Sequence, residues 1–338
     1  TNLNTICHPH RKTESQPQVV DANPPTLPVT PLVPDPLRQL HGANRSQTSA
    51  LKRPVAGCDL ASGYLASMTT SLFGLPVAHA SAWIFNCYVI HDDAGIVVFD
   101  PGLPVVARTA LDLITSDLDR SVADVRGVVC SHAHPDHVGG VSTITAATDA
   151  EVHLPERCRA YLDGERPRVF PPVESMGRFM SVLSEQPFSR HAAVEIAKFS
   201  RRVGFRGPSP DSKLDYAPTE FLSTGDTVAA TSGWEALDAP GHTDDSMCLY
   251  HAESATLISG DAVITQDGAA WFNPEFVDLD VATQTEERLR SLEVRHLLPG
   301  HGKPIEASNV WARARSPLTP PTGPKLLARC SRRLGRWH

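Results

Sequence analysis

His132-Ala133-His134-Pro135-Asp136-His137 sets three imidazoles and a carboxylate within six residues. Histidines at i and i+2 point the same way from a strand end or a tight loop, because side chains alternate along extended backbone. Asp136 and His137 then turn toward a second point. Four ligand-type side chains are costly to bury without partners. The stretch therefore reads as half of a two-metal centre, and the other half is to be sought elsewhere in the chain.

Working outward, residues 125–130 form an apolar run that reads as a buried strand leading into the cluster, and Gly139-Gly140 follow it before a short helix from about Val141. Upstream, 84–90 and 96–99 read as strands joined by the turn 91–95, a hairpin that ends at Asp100-Pro101-Gly102. Residues 105–118 carry a helical pattern, and 151–154 another short strand. Downstream, strands are expected over 227–231, 234–237, 246–250, 255–259 and 296–298, with a helix over 281–292. Strand runs in both halves, each followed by helices, predict two sheets with outer helices.

Four more candidates each follow an expected strand: Asp100, His242 in Pro240-Gly241-His242-Thr243, Asp261 in Ser259-Gly260-Asp261, and His301 in Pro299-Gly300-His301-Gly302. Loops at strand ends are where a rigid scaffold presents functional groups. Singly, each dipeptide is an ordinary turn. In this order, beside His132-x-His134-x-Asp136-His137, they resemble the metallo-β-lactamase superfamily over roughly residues 72–306.

That resemblance implies an α/β fold, a four-layer αββα sandwich with a helical insertion, and metals at one edge. It implies that His132, His134 and His242 hold one metal, that Asp136, His137 and His301 hold a second, and that Asp261 bridges them. Asp100 becomes a carboxylate orienting a ligand from behind. Two divalent ions are implied, zinc first, with iron or manganese also fitting a nitrogen-rich set with carboxylates. A hydroxide held between the metals would attack an ester, lactone or thioester carbonyl, with Asp136 as the catalytic residue that orients it and passes on a proton.

Family departures narrow the choice. True β-lactamases of the family lack the bridging aspartate. Glyoxalase II enzymes share the ligands but bind glutathione largely through a helical domain after the last histidine, whereas the 37 residues after His301 are Pro-rich and basic. Lactone hydrolases share the ligands and often carry an inserted segment over the site. Persulfide dioxygenases, iron-dependent sulfur oxidoreductases on the same fold, use a single iron. A phosphodiesterase or nuclease, and a non-catalytic binding protein, complete the alternatives.

Composition sets the outer bounds. The 338 residues carry a net charge of −7. The seven cations at Arg313, Arg315, Lys325, Arg329, Arg332, Arg333 and Arg336 face no acid after Arg313, so the body is more acidic than the total. An acidic body disfavours nucleic acid and leaves a small-molecule substrate as the expected partner. Seven scattered cysteines without a CxxC pair fit a reducing, cytoplasmic setting. No apolar run reaches the length of a membrane span. Cys130 and Cys248 read as core, and His79, His91, His153, His191, His251 and His296 as ordinary histidines.

Three regions are expected. Residues 1–67 are a Pro-rich extension read as disordered and dispensable, with Met68 as an alternative start; 68–312 are the metal-binding domain; 313–338 are a basic, Pro-rich tail and flexible exit. Inside the domain, 155–220 is an insertion, packed on the core or serving as a lid. Its Phe188, Ala192, Ile196, Phe199 and Val203 follow helical spacing, and 175–183 is a second helical candidate. Arg168 and Tyr216 are its candidates for reaching the site.

Overall fold

The computed structural model describes residues 66–169, 177–200, 202–205, 213–323, 325–335 and 337. Among these, one sheet runs in chain order: β1 (Ala66–Thr69), β2 (Val77–Ala82), β3 (Phe85–His91), β4 (Ile96–Phe99), β5 (Val125–Val129), β6 (Glu151–Pro155) and β7 (Glu220–Leu222). The first four are antiparallel neighbours, and β4 to β7 are parallel. The second sheet contains β8 (Trp234–Asp238), β9 (Met247–His251), β10 (Thr256–Gly260), β13 (His296–Pro299) and β14 (Ile305–Glu306), in the order β14-β13-β10-β9-β8. A separate hairpin pairs β11 (Val263–Gln266) with β12 (Ala269–Phe272). The helices are α1 (Pro104–Asp112), α2 (Pro135–Val138), α3 (Val141–Thr145), α4 (Cys158–Leu162), α5 (Arg190–Phe199), α6 (Leu279–Arg290) and α7 (Leu326–Leu334).

Strand alternation builds the layers. In β4, Ile96 and Val98 join the cluster that holds Val106 and Ala110 of α1 and Ile144 of α3. Val97 and Phe99 point the other way, into a cluster with Trp234, Met247, Leu249 and Ile258 of the second sheet. In β10, Ile258 faces that shared interior, while Leu257 packs with Leu289 of α6 on the far side. Three apolar interiors separated by two sheets make the αββα sandwich, because a period of two gives each central strand two buried faces.

Pro104 opens α1, where a missing N–H costs nothing. Glu195 of α5 accepts the Val105 N–H at 2.7 Å and a bond from Arg108 at 2.8 Å, which ties the insertion to α1. Of the helical stripe, Ala192 is buried and Ile196 and Phe199 pack on the core. Phe188 lies outside the helix, 58% exposed, its ring edge against Trp83.

Several expectations need correction. The helix over 105–118 ends as an α-helix at Asp112 and continues as a wider turn, Leu113–Asp117. Residues 227–231 form no strand; only Thr227 bridges to Glu235, because Ala230 adopts a left-handed φ of 58° that breaks extension. β1 crosses the expected boundary at 67/68, pairing Ala66 with Ala82 and Met68 with Ala80. The basic tail is not a bare exit: α7 buries Ala328 and Ser331, Trp337 lies 5.7 Å from Trp271, and Arg178 donates to Gly335 O. Two small residues three apart on one helical face, a Ser331 bond to Arg178 O and an aromatic anchor it despite its charge. The 175–183 candidate begins outside the described residues; within them 177–179 are helical and Val182–Ser184 form a 3₁₀ turn.

Candidate metal centre

Parallel pairing puts the ends of β4 and β5 at one edge, and the ends of β10 and β13 at the facing edge. Asp100 follows β4; His132 and His134 follow β5; Asp136 and His137 lie in the short α2. Asp261 follows β10, His301 follows β13, and His242 lies on the loop between β8 and β9. Seven side chains scattered over 170 positions of sequence thus meet in one place. Among the described residues, three groups have ligand atoms within 4.8 Å of one another: His132, His134 and His242; His132, His137 and Asp261; Asp136, His137 and His301. Asp261 stands between the halves. Its Oδ2 is 3.5 Å from His242 Nε2 and 3.3 Å from His301 Nε2, and its Oδ1 is 3.5 Å from His137 Nε2.

The outer hydrogen bonds decide which nitrogen faces inward. Ser131 Oγ donates its one proton to Asp100 Oδ2 at 2.8 Å, so it accepts from His132 Nδ1 at 2.9 Å. His137 Nδ1 donates to Asp100 Oδ2 at 2.8 Å. His242 Nδ1 donates to Glu275 O at 2.8 Å, and His301 Nδ1 to Ile84 O at 2.9 Å. Each ring is held at Nδ1 by an acceptor and turns a bare Nε2 lone pair toward the cluster, the tautomer a metal requires. His134 presents Nδ1, 3.3 Å from His242 Nε2.

Buried His132 Nε2, His137 Nε2 and Asp261 Oδ1 have no hydrogen-bond partner. Such atoms are expensive to leave unmet, and a divalent cation satisfies all three. The residues therefore fit two metals, with three nitrogens on one side and a carboxylate with two nitrogens on the other.

The electrostatics follow the same division. Burial pushes His132 well below the usual histidine range, helped by His137 and His134. Burial also lowers His242 against the pull of Asp261. At His137 burial works downward, but Asp261 and Asp100 outweigh it and raise the ring well above its ordinary value. His301 is likewise carried up to about 10, burial being outweighed by Asp261 and Asp136. Burial would raise Asp261, yet His301 and His137 hold it well below the carboxylate range. Protons and metal ions compete for these atoms.

Three contributors escaped the sequence reading. Ser131 joins Asp100 to His132, and its only sequence signal is adjacency to the cluster. Asp245 is buried and accepts the Ala133 N–H at 2.8 Å and the Cys158 thiol at 3.2 Å, fixing the His132–His134 turn. Glu275 acts through its carbonyl, which no side-chain pattern reveals. Asp100 holds a left-handed φ of 49°, a strained conformation for a residue with a Cβ. Of the insertion candidates, Arg168 pairs with Asp244 at 3.6 Å and Asp278 at 3.1 Å beside the His242 loop. Tyr216 packs against the core. His79, His251 and His296 bond to Asn86, Ser254 and Thr256. Cys130 and Cys248 are core residues.

Residues 82–301 match the model of the family described as the metallo-beta-lactamase superfamily. The chain is 25% identical over 256 residues to the "Probable metallo-hydrolase YflN" of Bacillus subtilis, covering 70% of this chain and 86% of that protein. It is 34% identical over 70 residues to a hydroxyacylglutathione hydrolase of Albidiferax ferrireducens, covering 21% of this chain and 25% of that one. Among solved structures, a metallo-beta-lactamase family protein of Thermus thermophilus aligns at 22% identity and a TM-score of 0.45, covering 68% of this chain and 71% of that one.

Proposed function

We propose, for a chain that belongs to the metallo-β-lactamase superfamily, that it is a dinuclear metal hydrolase acting on an ester, lactone or thioester. One observation carries this reading: Asp261 lies between two ligand triads whose buried nitrogens are aimed inward by their outer hydrogen bonds. His132, His134 and His242 would hold one ion, Asp136, His137 and His301 the other, and Asp261 both. Bound divalent ions supply an acidified water and a polarised carbonyl oxygen.

The chain's own groups do the rest. Asp136 is half-buried where the other ligand candidates are buried, 12% of its side chain being exposed, and its Oδ2 lies 3.3 Å from His301 Nε2. It orients the attacking water and delivers a proton to the leaving group. The ring edges of Phe85 and Phe179, 5.7 and 5.1 Å from the His301 ring, give the second half an apolar wall that keeps bulk water off a carbonyl. Zinc is the ion of choice for this donor set, and iron or manganese are accommodated. The relative named a probable metallo-hydrolase supports hydrolysis, and the short match to a hydroxyacylglutathione hydrolase supports an acyl group as its target. A small-molecule substrate fits the acidic body. No helix among the described residues is long and apolar enough to cross a membrane.

The test is metal quantification on the purified protein, followed by a panel of lactone, thioester, aryl ester and phosphodiester substrates. Two metals per chain with turnover of a carboxylic ester or thioester is the expected result. One iron per chain with oxygen consumption would overturn it. Asp261→Ala is expected to lose metal and activity together; two metals at full occupancy in that variant would show that Asp261 does not bridge.

A further inference from the structure

His301 stands on the loop Pro299-Gly300-His301-Gly302, and that loop hangs on β3. The Asn86 N–H donates to Gly300 O at 3.2 Å, and Asn86 Nδ2 donates to both Pro299 O at 2.9 Å and Gly302 O at 2.7 Å. Tyr88 OH adds a second bond to Pro299 O at 2.7 Å. Asn86 therefore binds three carbonyls around one ligand histidine. Its Oδ1 accepts from His79 Nε2 at 3.0 Å and from Gln186 Nε2 at 2.9 Å. The side-chain amide is 2% exposed overall and uses both protons and both lone pairs. Its orientation is forced, since a flipped amide would set an oxygen against two carbonyls.

Gln186 belongs to the insertion, and a second tie runs beside it: Trp83 Nε1 donates to Leu183 O at 3.0 Å. The opposite half of the centre has separate supports in Ser131, Asp245 and the Glu275 carbonyl.

We infer that Asn86 is a positioning residue for His301, and that through Asn86 the insertion residue Gln186 sets the affinity of the Asp136–His137–His301 half alone. This rests on the two-metal reading above. The backbone of a ligand loop fixed from three sides holds its histidine in one place. Releasing it lets the imidazole wander from the ion, while the His132–His134–His242 half keeps its own anchors.

The experiment is stepwise titration of the metal-free full chain with Zn²⁺, and with Co²⁺ followed by its visible absorption, in wild type, Asn86→Ala, Gln186→Ala and His301→Ala. The first equivalent is expected to bind Asn86→Ala as it binds wild type. The second is expected to weaken about 10- to 100-fold, the usual effect of losing a group that orients a ligand. Gln186→Ala should shift the same step by less, and His301→Ala should abolish it. If His301→Ala still takes two ions at wild-type affinity, the two-metal reading fails. If His301→Ala loses the second ion while Asn86→Ala keeps both, or loses both equally, the positioning role is overturned. Should Asn86→Ala not fold, Tyr88→Phe, which removes one donor from Pro299 O and keeps the ring, carries the same test; an unchanged second step there and in Gln186→Ala overturns it.

Discussion

Ser131 has one proton to give, and its destination fixes the chemistry of its neighbour. Directed to Asp100 Oδ2, it leaves Oγ as the acceptor for His132 Nδ1 and frees His132 Nε2 for a metal. Asp100 collects three bonds, from Ser131 N, Ser131 Oγ and His137 Nδ1, and so orients a histidine from each half. Ser131→Ala keeps every ligand candidate and removes only this bridge. Zinc affinity is expected to fall about 10- to 100-fold with the fold retained, measured by competition with a chromogenic chelator. An unchanged affinity would mean that His132 is oriented by something else. The ligand candidates themselves were legible because spacing and adjacent glycines mark them. Ser131, Asp245 and Asn86 were not, because serine, aspartate and asparagine are common loop and edge residues whose role depends on which distant backbone group they meet.

At the scale of elements, the centre depends on how abruptly strands end. Gly260 closes β10 at a left-handed φ of 48°, and a Cβ there would press into Ser131 Cβ and Oγ. Ser131 cannot retreat without leaving Asp100. Gly260→Ala is expected to cost about 2–4 kcal/mol, the sum of left-handed strain and overpacking, in urea unfolding. A cost under about 0.5 kcal/mol, the range of a neutral surface change, would show that the loop relaxes freely. Strands buried on both faces, such as β4 and β5, were readable as apolar runs. β7 was missed because three residues at a sheet edge carry too little pattern. The β11–β12 hairpin was missed although Asp267-Gly268, both at positive φ, is a standard two-residue turn. Thr227–Thr231 has strand composition, yet Ala230 turns the chain away; composition there described a preference that the tertiary contacts overrode.

For the whole molecule, β2 and β3 join the sandwich to the centre, and His79 lies in that junction, stacked on Tyr88 and bonded to Asn86. Burial lowers its pKa from 6.5 to about 4, the Asn86 bond opposing only in part. Between pH 6.5 and 4 the unfolded chain binds a proton that the folded chain refuses, so folding stability falls as pH falls through that window and is unaffected by His79 above it. At about 1.4 kcal/mol per unit the loss approaches about 3 kcal/mol. His79→Gln should lose that much less stability between pH 7 and 4 in chemical denaturation. Both chains are measured metal-free, so that the link from His79 through Asn86 to a bound ion does not enter the difference; equal losses would contradict a buried neutral His79.

The sequence by itself determined the candidate ligands and their order, since these are written in local spacing: histidines at i and i+2, a carboxylate next to the third histidine, apolar runs ending in glycine; the layered fold followed from the family resemblance those residues carry. The tertiary structure decided what local spacing cannot hold. Which imidazole nitrogen faces inward depends on acceptors as remote as Ile84 for His301 and Glu275 for His242. Whether Asp261 stands between the triads depends on two sheets packing face to face with their strand ends at the same side. The fate of the basic tail depends on Trp271 and Arg178 waiting on the surface it covers. A hydrogen bond or an apolar contact has no sequence distance, and these were settled only when the chain closed on itself.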